Sequence, residues 1–153
     1  MFSHLTIGTN DLARAIAFYD AILAPLGIER APGKFPGWAS WNRPGEAVKL
    51  WVGRPYNQLP ASWGNGWMAA FTAPTRAAVN AAYAAAMAAG AYDEGAPGLR
   101  PHFAPNYYGA YVRDLDGNNC ISSAAPQDIS APLSSLALST VRHSRHGRRE
   151  NSR

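Results

Sequence analysis

The chain has 153 residues, enough for one full-sized core or for two small repeated modules sharing one, and too few for two independent domains. Apolar residues make up 47% and charged ones 16%, an ordinary globular composition, and the net charge of +4 is carried by residues 129–153, with five arginines against Glu150. The rest of the chain is neutral, so its folded part offers no electrostatic footprint for a phosphate backbone, and nucleic acid is excluded as a partner.

The longest nearly apolar run, Ala81 to Ala91, is about half of what a membrane span needs, and no charged-then-apolar segment precedes the first strand. The expectation is a cytoplasmic protein with no membrane partner. Cys120 is the single cysteine, which rules out an internal disulfide and a cysteine-based zinc site; its place in the last strand pattern reads as a small buried hydrophobe.

In chain order, Phe2 to Thr9 alternates as a strand, with His4, Thr6 and Gly8 on one face and Leu5 and Ile7 on the other. Thr9 or Asn10 then caps a helix with Asp11 in its first turn, and Leu12, Ile16, Tyr19 and Leu23 form its buried stripe. Pro25 and Gly27 end it. Ile28 to Arg30, Trp38 to Asn42 and Ala47 to Gly53 read as three short strands separated by Gly33, Pro36, Pro44 and Gly45. The segment RPYNQLPASWGNG has no periodicity and reads as a linker crossing the surface.

The first half then recurs at an offset of 64 residues: Ile7 falls on Phe71, Asp11 on Thr75, Ala15 on Val79, Tyr19 on Tyr83 and Leu23 on Met87, with Gly27 close to Gly90. A short strand near Ala91 to Glu94 and a turn-rich stretch, GAPGLRPHFAPN, lead into YYGAYVRDLDGNNCIS. That last segment has two period-2 runs around a polar turn with Gly117 at its corner, a β-hairpin signature. The order β-α-β-β-β therefore occurs twice, an α+β architecture with a first module at 2–53, a linker at 54–65, a second module at 66–124 and a tail at 125–153.

The NDLARAIAFYDAILAPLG helix and the DLDGNN turn together resemble the vicinal oxygen chelate superfamily, the glyoxalase, bleomycin-resistance and extradiol-dioxygenase group, over residues 2 to 124. The Trp51-Val52-Gly53-Arg54-Pro55 segment is similar to small bacterial glyoxalase-like members. The resemblance implies two half barrels enclosing a cleft, a homodimer, and a divalent metal (Zn, Ni, Fe or Mn) held by two histidines and two carboxylates.

His4 matches the first of those ligands. Met68 stands at the second histidine position, Ile121 at the last-strand carboxylate, and Lys49 with Trp51 at the fourth; Glu46 is the nearest acid. Met68 and Ile121 remove two ligands at once, so the reading favours binding of a small aromatic or apolar molecule over a metal site. Candidate ligand contacts are Trp51, Trp67, Met68, His102, Tyr108, Tyr111 and Ile121, with His4 and Glu46 the metal candidates and no catalytic residue assigned. The alternative is a metal-dependent lyase, isomerase or dioxygenase of the glyoxalase type anchored on His4, completed by Glu46 or His102.

In the tail, Leu133, Leu136, Leu138 and Val141 fit one short apolar element, and His143 and His146 sit three apart among arginines in a stretch read as disordered.

Overall fold

A computed structural model describes residues 2–33 and 35–124; the expectations for the tail, including His143 and His146, lie outside the described residues. The first module runs β1 (His4–Gly8), α1 (Leu12–Leu23), a single 3-10 turn (Ala24–Leu26), β2 (Glu29–Arg30), β3 (Trp38–Asn42) and β4 (Lys49–Gly53). The second runs β5 (Ala69–Ala73), α2 (Arg76–Ala88), β6 (Tyr92–Leu99), β7 (Tyr108–Arg113) and β8 (Asn119–Ala124). Each module is one four-stranded mixed sheet, in the orders β1-β4-β3-β2 and β5-β8-β7-β6, with the first pair of each parallel. No helix is long and apolar enough to cross a membrane among the described residues.

The helix signals of the two halves are local and equivalent. Asp11 caps α1 by accepting from the Arg14 N–H at 3.0 Å, and Thr75, its repeat partner, caps α2 by accepting from the Ala78 N–H at 3.0 Å. Thr9 and Asn10 do not serve as caps as the sequence suggested. Thr9 Oγ1 donates to the Asp116 carboxylate, and the Asn10 amide pairs with both backbone groups of Ala61, so tertiary partners have taken the side chains that local chemistry would have used. Gly27 and Gly90, with φ of 69° and 90°, take the left-handed conformation that ends the helical segments.

Each sheet buries one face. Ile7, Ala39, Trp41, Leu50 and Val52 lie in the core with α1, while Ala69, Ala73, Ala110, Val112 and Cys120 lie there with α2. The buried side of α1 is Ala15, Phe18, Tyr19, Ile22 and Leu23, broader than the stripe expected, and Leu12 and Ile16 are only partly covered. The reason is that α1 packs on α2 as well as on its own sheet.

β6 extends to Leu99, through residues expected to form turns. Its register against β7 shifts between Asp93 and Gly95 and again between Gly95 and Gly98. As the edge strand of its sheet it tolerates Pro97, and the two glycines absorb the irregularity.

The modules meet along a seam built on the two β-turns. Asn118, in the turn between β7 and β8, donates to the Gly8 carbonyl at 3.2 Å, and Arg43, in the turn between β3 and β4, donates to the Thr72 carbonyl at 2.8 Å. Gly8 and Thr72 are repeat equivalents, so each module's hairpin turn clasps the first strand of the other.

Candidate functional site

In both sheets the alternation that buries one face leaves the other open. In the first module the open face carries His4, Thr6 and Gly8 beside Lys49, Trp51 and Gly53, their register partners on β4, followed by Trp38 and Ser40 on β3. Trp51 meets Phe35 edge-on at 4.8 Å, and Trp38 lies over Gly53, where an added Cβ would fall 2.4 Å from the ring. The linker shapes this face: a pocket of about 430 Å³ is bounded by Thr6, Trp38 and Gly53 on one side and Pro55, Tyr56 and Pro60 on the other.

His4 is exposed, and its Nδ1 lies 2.9 Å from Ser3 Oγ. Lys49 is its register partner, so a cationic side chain occupies the neighbouring position where the superfamily site needs an acceptor. Glu46 is tied to Arg43 at 2.8 Å and lines a separate pocket of about 260 Å³ at the seam, with Lys49, Ala70 and Thr72 among its walls. Among the described residues no three His, Cys, Asp or Glu side chains come together. The donor set does not fit a divalent metal of the kind the resemblance implies: one imidazole, a thioether at Met68 and a hydrocarbon at Ile121 are what stand at three of the four positions.

In the second module the open face carries Ala70 and Thr72 on β5, Ile121 and Ser123 on β8, and Gly109 and Tyr111 on β7, joined by the register pairs Ala70–Ile121, Tyr111–Ile121 and Gly109–Ser123. Met68 continues this face and is 44% exposed; Ile121 is 1% exposed. Tyr107 lays its ring over Gly109, whose added Cβ would sit 3.2 Å from that ring and 3.6 Å from Ile121 Cδ1. The loop leading to β7 carries a chain of rings, His102 on Phe103 at 4.2 Å and Phe103 on Tyr107 at 5.5 Å.

Two sequence candidates sit elsewhere. Tyr108 donates its hydroxyl to Asn80 Oδ1 at 2.8 Å and lies under the Arg76 guanidinium, so it is tied to α2. Trp67, just before β5, packs against the core. For Tyr108 the physical cause is strand alternation: it is an odd number of residues from Tyr111 on β7, so the two cannot share a face.

Arg100 joins the candidates only in the folded structure. Its guanidinium carbon is 5.5 Å from the centroid of the Tyr111 ring, and Nη2 and Nη1 donate to the Ala96 and Leu99 carbonyls at 2.8 and 3.3 Å. Added Cβ atoms on Gly95 and Gly98 would lie 3.3 and 2.8 Å from its nitrogens, so these two glycines make room for it. The Gly-x-x-Gly spacing before an arginine was the available signal. Burial raises the Tyr111 hydroxyl above the ordinary tyrosine range, the adjacent Tyr107 adding and Arg100 opposing.

A second polar cluster lies at the dry side of the seam. Asp114 accepts from the Tyr19 hydroxyl at 2.8 Å, from Asn118 Nδ2 at 2.8 Å, and from the backbone N–H groups of Asp116 and Asn118. Cys120 Sγ is 3.7 Å from the Tyr19 hydroxyl. Burial pushes the Cys120 thiol up to about 12, the Asp114 charge adding and the Tyr19 hydroxyl opposing. Such a thiol is not a nucleophile at neutral pH; the cluster is a structural joint.

The family profile described as the Glyoxalase/Bleomycin resistance protein/Dioxygenase superfamily matches residues 1–120. Among solved structures, a glyoxalase/bleomycin resistance protein from Albidiferax ferrireducens T118 is 36% identical, with a TM-score of 0.72 over 82% of this chain and 99% of that one. A glyoxalase/bleomycin resistance protein/dioxygenase family enzyme from Burkholderia phytofirmans PsJN (18% identity, TM-score 0.62, 81% and 98% covered) is similar in fold. So is a lactoylglutathione lyase from Agrobacterium tumefaciens (20% identity, TM-score 0.57, 82% and 93% covered). The comparison with curated proteins gave no match.

Proposed function

Because this chain belongs to the glyoxalase/bleomycin resistance protein/dioxygenase superfamily, we propose that it is a small-molecule binder of that superfamily, one that holds an aromatic or apolar compound on its open sheet faces without a resident metal. The observation that carries this reading is the make-up of those faces. Where a metal site would need convergent imidazoles and carboxylates, they present Trp51, Trp38 and Phe35 in one module and Tyr107, Tyr111 and Met68 in the other. Aromatic walls with few polar handles suit a flat ligand.

The protein acts as a homodimer on this reading. Met68 and Phe103, both at least 44% exposed, form the apolar rim beside the second open face that a second copy would cover.

The test is a titration of the purified protein with a panel of neutral aromatic compounds, followed by tryptophan emission, paired with elemental analysis of the wild type and of His4→Ala. Quenching that saturates, with metal content far below one per chain, is the expected result. Near-stoichiometric metal that disappears in His4→Ala would overturn the reading in favour of a metal-dependent lyase, isomerase or dioxygenase.

A further inference from the structure

The open face of the second module contains a charge that aromatic binding does not use. Arg100 places its guanidinium on that face, and among the described residues its hydrogen bonds are to two backbone carbonyls and none of the ion pairs is its own. Those two bonds occupy two of the five N–H donors that a guanidinium offers. Arg43 and Arg113, by contrast, each bond a carboxylate, Glu46 and Glu94.

The position of this cation is built in. Its backbone is pinned at the base of the β6–β7 loop: the Arg100 N–H donates to the Tyr107 carbonyl at 2.8 Å, and the Arg100 carbonyl accepts from Phe103 at 3.0 Å. Gly95 and Gly98 remove the side chains that would push the guanidinium off the sheet, and the Tyr111 ring flanks it. Gly95 is paired with Tyr111, and Gly98 with Gly109, over which Tyr107 lies, so the cation and the two rings share one patch a few residues wide.

A half-buried guanidinium without an acidic partner forgoes the charge-assisted, two-pronged bonding for which its planar fork is suited. The missing partner must be planar and acceptor-rich on one side and apolar enough to lie against Tyr107 and Tyr111 on the other. We propose that Arg100 is the specificity-determining residue of the site and that the ligand is an aromatic carboxylate, its carboxylate held by the guanidinium and its ring by Tyr107 and Tyr111. This rests on the small-molecule-binding reading above and sharpens it from aromatic compounds in general to aromatic anions.

Benzoate and its neutral counterpart benzamide separate the two, because they differ in charge and hardly in shape. By calorimetric titration of the full chain, benzoate is expected to bind at least tenfold more tightly than benzamide. Arg100→Gln should abolish most of that difference by weakening benzoate about tenfold and leaving benzamide within twofold. Gly98→Ala keeps the charge and a permitted backbone, yet its methyl group displaces the guanidinium; it should weaken benzoate several-fold.

Equal affinity for the two probes in the wild type, a comparison that needs no variant to fold, would overturn the carboxylate assignment while leaving aromatic binding standing. Unchanged benzoate affinity in a folded Arg100→Gln would remove Arg100 from the site. If neither probe binds the wild type, both this assignment and the aromatic-binding reading fall.

Discussion

The two hairpin turns occupy equivalent places in the repeat and clasp equivalent strand ends, yet they do so by opposite physics. The turn of the second module is organised around a buried carboxylate: Asp114 is 3% exposed, satisfied by four donors, and linked through Tyr19 to the helix of the first module. Its outer neighbour Asp116 accepts from Thr9 and from the Asn10 backbone and side chain. The turn of the first module uses a part-exposed cation, Arg43, which divides its donors among Glu46 and the carbonyls of Leu26 and Thr72. The dry joint is closed. The wet one opens into the 260 Å³ seam pocket, whose walls include Arg43 and Glu46. A repeat thus preserves a fold while the two copies of one contact diverge in burial, because a hydrogen bond's worth depends on what its partners lose when it is broken.

The sharpest way to break this comparison is Asp114→Ala. It strands the Tyr19 hydroxyl, the Asn118 amide and two backbone N–H groups in a buried site, and about 3 kcal/mol of stability should be lost, read from the urea midpoint. A loss under about 1 kcal/mol would mean the joint is not the anchor its hydrogen bonds suggest.

A smaller effect should appear at alkaline pH. The Cys120 thiol ionises near 9.0 when exposed and near 12 when folded. The folded state therefore keeps its proton after the unfolded chain has released one, and stability falls as pH rises between those values. From this group alone the loss is on the order of 1 kcal/mol at pH 10; burial of Tyr19, with Cys120 and Asp114 adding, raises its hydroxyl too and works in the same direction. Urea titrations at pH 8 and pH 10 should show the fall, and Cys120→Ala should flatten it. An unchanged slope in that variant would assign the alkaline limb to other groups.

The smallest effect belongs to the wet joint. Arg43→Ala removes a part-exposed pair, its side chains 32% and 53% accessible, and two bonds to carbonyls that water can replace. It should cost less than about 1 kcal/mol by the same measurement. A cost equal to that of Asp114→Ala would erase the distinction between the joints.

Much of the fold was legible because its signals act over short range. The helix starts, the Gly27 and Gly90 endings and the Gly117 corner are all decided within about one turn of chain, although the α1 cap is Asp11 where Thr9 or Asn10 was expected; the helix starts and ends recur near the repeat offset. Cys120 was read as a buried hydrophobe from its strand position, and it is 2% exposed. The site was less legible. Trp67 and Tyr108 look like ligand walls by residue type, and only tertiary packing sets Trp67 against the core and ties Tyr108 to α2. Period-2 alternation forbade Tyr108 and Tyr111 from sharing a face, but it did not say which of them α2 would take. The extension of β6 through GAPG was hidden for a related reason. Glycine and proline mark turns locally, whereas an edge strand accepts both once a neighbouring strand supplies the hydrogen bonds.

The sequence by itself therefore determined the two β-α-β-β-β modules, their helix ends and turns and the neutral charge of the folded part, since periodicity and turn chemistry are properties of neighbouring residues. The tertiary structure alone decided which sheet faces stay open, which turn became dry, and where Arg100 stands. Those outcomes depend on strand register and on helix packing between residues far apart in the chain. The distance from Arg100 to Tyr111 is set by a shifted register across a glycine-lined edge strand, and nothing within either residue's own neighbourhood encodes it.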